Sequence, residues 1–137
     1  MIDHLREQTG LPLSRFVLGG FSQGSMLATD VCLRLDESIG GLLVYSGTLL
    51  VEPEWRELAP RRRGLRVLQS HGTIDSLLPF EAATWLRDLF ESAGADIEFL
   101  EFPGVHTIPA EAVVSSARMV ADVLAAPQTD AEDSRQP

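Results

Sequence analysis

The sequence predicts an α/β fold, a parallel sheet with helices on both faces, on three observations. Runs of strand character alternate with runs of helical periodicity along the whole chain, the pattern of βαβ units. The run Gly41-Leu42-Leu43-Val44-Tyr45 is apolar without a break, as in a strand covered on both faces. The apolar run Phe16-Val17-Leu18 breaks across Gly19-Gly20-Phe21-Ser22-Gln23-Gly24 into a helix-like run, which is a strand-to-helix junction. At 137 residues the chain is one domain with room for a core. Residues 1–126 are assigned to it, and residues 127–137, where apolar side chains nearly vanish, to a disordered acidic tail.

Taken in order, residues 2–9 read as a helix, with Ile2 and Leu5 on one side and Gly10 as its stop. Residues 15–20 are the first strand. The helix after it, residues 25–35, carries Leu27, Ala28, Val31 and Leu35 at the three- and four-residue spacing of one buried face. The second strand, residues 41–45, closes at Ser46-Gly47. Residues 48–64, interrupted by Pro53 and Pro60, read as an irregular surface excursion, with Arg61, Arg62 and Arg63 in a solvated loop; a phosphate site is the alternative. Residues 65–70 form a third strand that runs into His71-Gly72-Thr73-Ile74-Asp75. Pro79 opens a helix whose face is Ala82, Leu86, Leu89 and Phe90, and Ala93-Gly94 stops it. Residues 97–102 form the fourth strand. Thr107 is placed to cap a last helix with Pro109 in its first turn and Val113, Ala117, Val120 and Leu124 facing inward.

Charge and cysteine count exclude several function classes. A net charge of −9 argues against a nucleic-acid partner, which needs a basic face, and against docking on an anionic membrane. Cys32 is the single cysteine, so there is no intrachain disulfide and no cysteine cluster for a metal; a buried, inert thiol is expected. The first residues lack the basic-then-apolar pattern of a secretory signal, and no apolar run reaches bilayer-spanning length. The expectation is a cytoplasmic protein without membrane insertion.

The junction at Gly20-Phe21-Ser22-Gln23-Gly24 has the pattern of a nucleophile elbow, in which a tight turn exposes a strained serine. Its bland alternative is a glycine-rich turn with a capping serine. Ligands of a parallel sheet bind at the carboxyl ends of its strands. Three reactive side chains fall at that edge: Ser22 after the first strand, Asp75 after the third and His106 after the fourth. A serine hydroxyl needs a base to take its proton. A neutral imidazole can take it near pH 7 and return it to a leaving group. A carboxylate holds the imidazole in the right tautomer. Asp75 has the alternative of a turn aspartate before the helix at Pro79, and His106 that of a solvated loop residue. His71 lies on the strand that supplies the acid and reads as structural, shaping the loop near the site. His4 reads as a surface residue, and Asp96 precedes a strand, at the wrong edge of the sheet.

The motifs Gly-Phe-Ser-Gln-Gly at 20–24, Tyr-Ser-Gly at 45–47, His-Gly-Thr-Ile-Asp at 71–75 with Pro79-Phe80, and Val-His-Thr-Ile-Pro at 105–109 stand in one register. In these the chain resembles the phospholipase/carboxylesterase family of α/β-hydrolases, which includes acyl-protein thioesterases. The resemblance implies an α/β-hydrolase fold with Ser22 as nucleophile, Asp75 as acid and His106 as base. It also implies the backbone N–H of Gln23 as an oxyanion donor. Substrates implied are small acyl esters or thioesters, with no metal and no cofactor. Ser25, where a glycine is usual, and Val105, where a glycine usually precedes the histidine, depart from the pattern.

A larger departure is at the front, where such proteins carry roughly another 80 residues, including early strands and a His-Gly loop that supplies a second oxyanion donor. The chain is therefore expected to be a fragment or to have a misplaced start, truncated at the N-terminus. Its first strand would be an open sheet edge, through which a homodimer could pair. Two readings follow: a serine ester hydrolase, or a weak or inactive remnant used as a binding module. Leu49, Leu50, Trp55, Leu77, Leu78 and Ile108 lie in loops that could line an apolar acyl pocket, the alternative being that several pack beneath those loops.

Overall fold

The computed structural model describes residues 1–127, so the expected disordered tail, apart from its first residue, lies outside the described residues. Strand and helix alternate as α1 (Ile2–Thr9), β1 (Val17–Phe21), α2 (Gln23–Arg34), β2 (Gly41–Tyr45), α3 (Glu52–Leu58), β3 (Arg66–Gly72), α4 (Phe80–Ser92), β4 (Asp96–Phe102) and α5 (Ala110–Ala125). The four strands form one parallel sheet in the order β1-β2-β3-β4, so β1 lies at an edge.

Side chains alternate across a strand, and two contacts fix which face is which. Gln69 donates its amide N–H to the Ala83 carbonyl of α4 at 2.8 Å, and Val44 is its partner in register. Leu42, Val44 and Val67 therefore look toward α2 and α4, where they meet Cys32, Leu33, Leu86 and Phe90 in the core. Tyr45, on the opposite face, meets the Ser116 hydroxyl of α5. The sheet is thus covered on both faces, and the uninterrupted apolar run of β2 follows from that.

Two helices sit in a different rotation from the one their apolar spacing suggests. In α2 the buried residues are Ser25, Ala28, Thr29, Cys32 and Leu33, whereas Leu27 is 65% exposed. The serine and threonine can be buried because each hydroxyl donates within its own helix, Ser25 to the Ser22 carbonyl at 2.6 Å and Thr29 to that of Ser25 at 2.8 Å. In α5 the buried residues are Ala112, Ser116 and Val123, and Val113, Ala117, Val120 and Leu124 are exposed. Small residues set this rotation: a Cβ on Gly40 would stand 2.6 Å from Val123, and one on Gly41 2.8 Å from the Met119 sulfur. In α4 the inward alanine is Ala83, not Ala82. Thr107 does not cap α5; the chain enters that helix from Pro109.

The excursion between β2 and β3 is ordered, not irregular. It holds α3 and a 3₁₀ turn at Ala59–Arg62. Pro53 fits the first turn of α3, where its missing N–H costs nothing. Trp55 is 1% exposed and donates its indole N–H to Asp30 at 2.9 Å.

The arginine loop is not wholly solvated either. Arg62 is 2% exposed, and its guanidinium donates to the carbonyls of Cys32, at 2.8 Å, and of Leu35, at the C-terminal end of α2, and to that of Arg61. These last carbonyls of α2 are left without helical partners and carry the negative end of its dipole, which offsets burial of the charge. Burial pushes the adjacent Cys32 thiol up to about 11, partly opposed by Arg62. Replacing Arg62 by alanine orphans buried carbonyls and opens a void, and should cost about 3 kcal/mol of stability, read as a lower urea unfolding midpoint. An unchanged midpoint would show a loop residue of no structural weight.

Candidate active site

The site begins with the way β1 becomes α2. A Cβ on Gly20 would lie 2.2 Å from the carbonyl group of Gly24, so only glycine lets the first turn of α2 fold back on the strand. At Gly24 itself a Cβ would meet nothing within 4 Å, so of the two glycines flanking Ser22 the close approach requires only Gly20. Ser22 has φ 57° and ψ −122°, in a region that L-residues rarely adopt. Its N–H is held by the Tyr45 carbonyl at 2.8 Å. Ser25, the first departure, fits because position 47 is glycine: a Cβ on Gly47 would be 2.3 Å from the Ser25 hydroxyl oxygen.

Asp75 and His106 are brought together by the pairing of β3 with β4, whose last partners are Gly72 and Phe102. The loops beyond remain joined. Thr73 donates its N–H to the Phe102 carbonyl at 2.9 Å, and Ile74 to that of Gly104 at 3.1 Å. A Cβ on Gly72 would lie 2.2 Å from the Gly104 carbonyl oxygen, so close approach of the loops also requires glycine.

The three side chains form one relay. The Ser22 hydroxyl lies 2.9 Å from His106 Nε2, and His106 Nδ1 lies 2.6 Å from Asp75 Oδ2. With a carboxylate accepting at Nδ1, that nitrogen carries the proton and Nε2 is free to accept from the serine. Asp75 is also the turn aspartate weighed as its alternative. Its Oδ1 accepts the N–H groups of Leu77 and Leu78, both at 2.8 Å, while Oδ2 serves His106. Burial pushes the Asp75 carboxyl up, but these N–H donors and His106 outweigh it, and its pKa falls below the ordinary carboxylate value.

His106 is largely enclosed, with Phe21 against its ring at a centroid distance of 4.8 Å. Gln23 opens α2, and its backbone N–H is one of those a helix leaves without an intrahelical partner. Its position after Ser22 and the positive end of the helix suit a developing oxyanion. Among the described residues no group of three or more metal-ligating side chains occurs.

The lining expected for an apolar pocket divides in two. Leu77 is 71% exposed, Leu50 and Ile108 are exposed, and Leu78 is half-buried. Trp55 is buried in the core and cannot line an open groove. Leu49 packs against the core and borders a cavity of about 320 Å³ with Glu52, Arg56, Trp85 and Asp88, away from the relay. Sequence reasoning missed Phe21, Ile74 and Val105, all exposed apolar residues flanking members of the relay. Their adjacency to Ser22, Asp75 and His106 in the chain was the available signal.

A serine on a strand-to-helix elbow, relayed through histidine to aspartate at the carboxyl edge of a parallel sheet, defines an α/β-hydrolase. Comparison narrows this: the phospholipase/carboxylesterase family matches residues 1–122, and the chain belongs to that family. An acyl-protein thioesterase 1 from Neurospora crassa is 29% identical over 100 residues, covering 71% of this chain and 41% of that protein. A probable carboxylesterase from Oryza sativa is 32% identical over 121 residues, covering 87% of this chain and 46% of that one. The crystal structure of Arabidopsis thaliana SOBER1 superposes with a TM-score of 0.78 at 25% identity, covering 90% of this chain and 60% of the other. The chain thus spans about half the length of the curated relatives it matches. No described helix is long and apolar enough to cross a membrane.

Gly72→Ala should push the loop carrying His106 away from Asp75. Labelling of Ser22 by a fluorophosphonate probe should then slow by about 100-fold, the cost of an ångström-scale misplacement. An unchanged rate would mean that the loops part without disturbing the relay.

Proposed function

We propose that this chain hydrolyses carboxylic esters or thioesters through an acyl-enzyme on Ser22. The observation that carries this reading is the unbroken relay from Ser22 through His106 to Asp75, at 2.9 and 2.6 Å. Ser22 Oγ would attack the acyl carbon as its proton passes to His106 Nε2. The carbonyl oxygen would take the negative charge beside the Gln23 N–H and the start of α2. Collapse would expel the alcohol or thiol, which takes the proton back from Nε2. A water activated by the same nitrogen would then cleave the acyl-serine ester. Asp75 would stay ionised throughout, because its pKa lies below the ordinary carboxylate value.

Phe21, Ile74, Leu77, Val105 and Ile108 are exposed around the relay and favour an apolar acyl group over a charged one. The names of the relatives, a thioesterase and a probable carboxylesterase, agree with this substrate class.

Intact mass after fluorophosphonate treatment tests this reading. A single adduct on the wild type and none on Ser22→Ala supports the hydrolase; no adduct on the folded wild type would overturn it. In the active protein, Asp75→Asn should lower ester turnover by about 10⁴-fold, because His106 would lose its tautomer. A loss under tenfold would remove Asp75 from the role of acid.

A further inference from the structure

One side chain close to the relay has no part in the chemistry above. His71, at the end of β3, is fully buried, and its Nε2 lies 2.8 Å from the Leu78 carbonyl and 3.4 Å from Asp75 Oδ2. A carbonyl only accepts, so Nε2 carries the proton and the ring is the Nε2–H tautomer. Nδ1 is buried with no hydrogen-bond partner among the described residues, and Phe80 stands beside the ring at 6.1 Å. The ring therefore spends its single N–H on the loop that carries Asp75.

The Leu78 peptide is gripped from both sides: its N–H by Asp75 Oδ1, and its carbonyl by His71. We propose that His71 is a positioning residue, clamping Leu78 so that the Asp75 turn stays closed and Oδ2 remains aimed at His106. Leu78 is otherwise the far end of an exposed stretch, with Ser76 and Leu77 open to solvent. Without the clamp, the turn would depend on the Asp75 carboxylate alone, and that carboxylate would be shared between holding the loop and holding His106. His71 adds no group to the reacting atoms; it acts through the turn. The proposal deepens the ester-hydrolase reading and, as regards rate, rests on it.

The test uses the whole chain and two readouts, the ¹H–¹⁵N spectrum of the imidazole nitrogens and the kinetics of fluorophosphonate labelling. In the wild type His71 should be protonated at Nε2 and bare at Nδ1; the reverse tautomer would overturn the clamp without any variant. In His71→Leu the His106 Nδ1–H signal should shift or vanish. The limiting labelling rate should fall by about 10- to 100-fold, with half-saturation unchanged. His71→Gln, which keeps an N–H donor in a folded chain, should recover part of both. A His71→Leu protein with the wild-type His106 spectrum and rate would overturn the proposal. So would a folded His71→Gln as impaired as His71→Leu, since packing against Phe80 would then be what counts. Absence of labelling in the wild type would strike the hydrolase reading instead, and the two imidazole spectra would still judge the clamp.

Discussion

The placing of Ser22, on which the rest of the carboxyl edge converges, depends on how closely α2 can fold back onto β1. The Gly24 carbonyl occupies the place that a Cβ on Gly20 would need. That contact puts the first turn of α2 directly behind Ser22 and forces the serine to φ 57°. It also fixes the rotation of α2, so that Ser25 and Thr29 turn inward and Leu27 turns out. The exposed position of Ser22, the free start of α2 at Gln23 and part of the core thus follow from one steric fact. The strain at Ser22 is held by bonds on both sides, its N–H by Tyr45 and its carbonyl by Ser25.

The remaining half of the relay is a matter of neighbouring strands. Because β3 and β4 are parallel and adjacent, their carboxyl ends deliver Asp75 and His106 to the same place, 31 residues apart in sequence. Loop-to-loop backbone bonds, and the glycine at 72, hold the delivery to hydrogen-bond precision. Neither loop depends on a long lever from elsewhere. The sheet is the frame, and the loops need only short reaches from it.

The order of the strands and of every helix but α3, and the three relay side chains at one edge, were legible because each leaves a local mark: an apolar run, a glycine spacing, a polar residue just past a strand. Helix rotation was not. The apolar stripe of α5 is real, but it faces outward, because Tyr45, Gly40 and Gly41 accept Ser116, Val123 and Met119 instead. Periodicity shows that a helix has a greasy face and cannot show which face finds a partner. The excursion misled for a related reason. With Trp55 as the one buried residue of a seven-residue helix, α3 has almost no pattern to read. Arg62 looked solvated because its partners are backbone carbonyls of α2, which leave no trace in side-chain spacing.

The two-sided use of Asp75 ties together properties that are usually separate. One carboxylate closes a turn through Oδ1 and orients an imidazole through Oδ2. Its pKa in the fold lies below its value in the unfolded chain. Its stabilising contribution is therefore complete above the ordinary carboxylate range and fades as pH falls through the depressed value. In that window a single proton both loosens the loop and discharges the group facing His106. Acid would thus release the turn and the imidazole together, through the titration of one group. A glutamate at the same position, though equally charged, would carry an extra methylene into a turn sized for the shorter side chain.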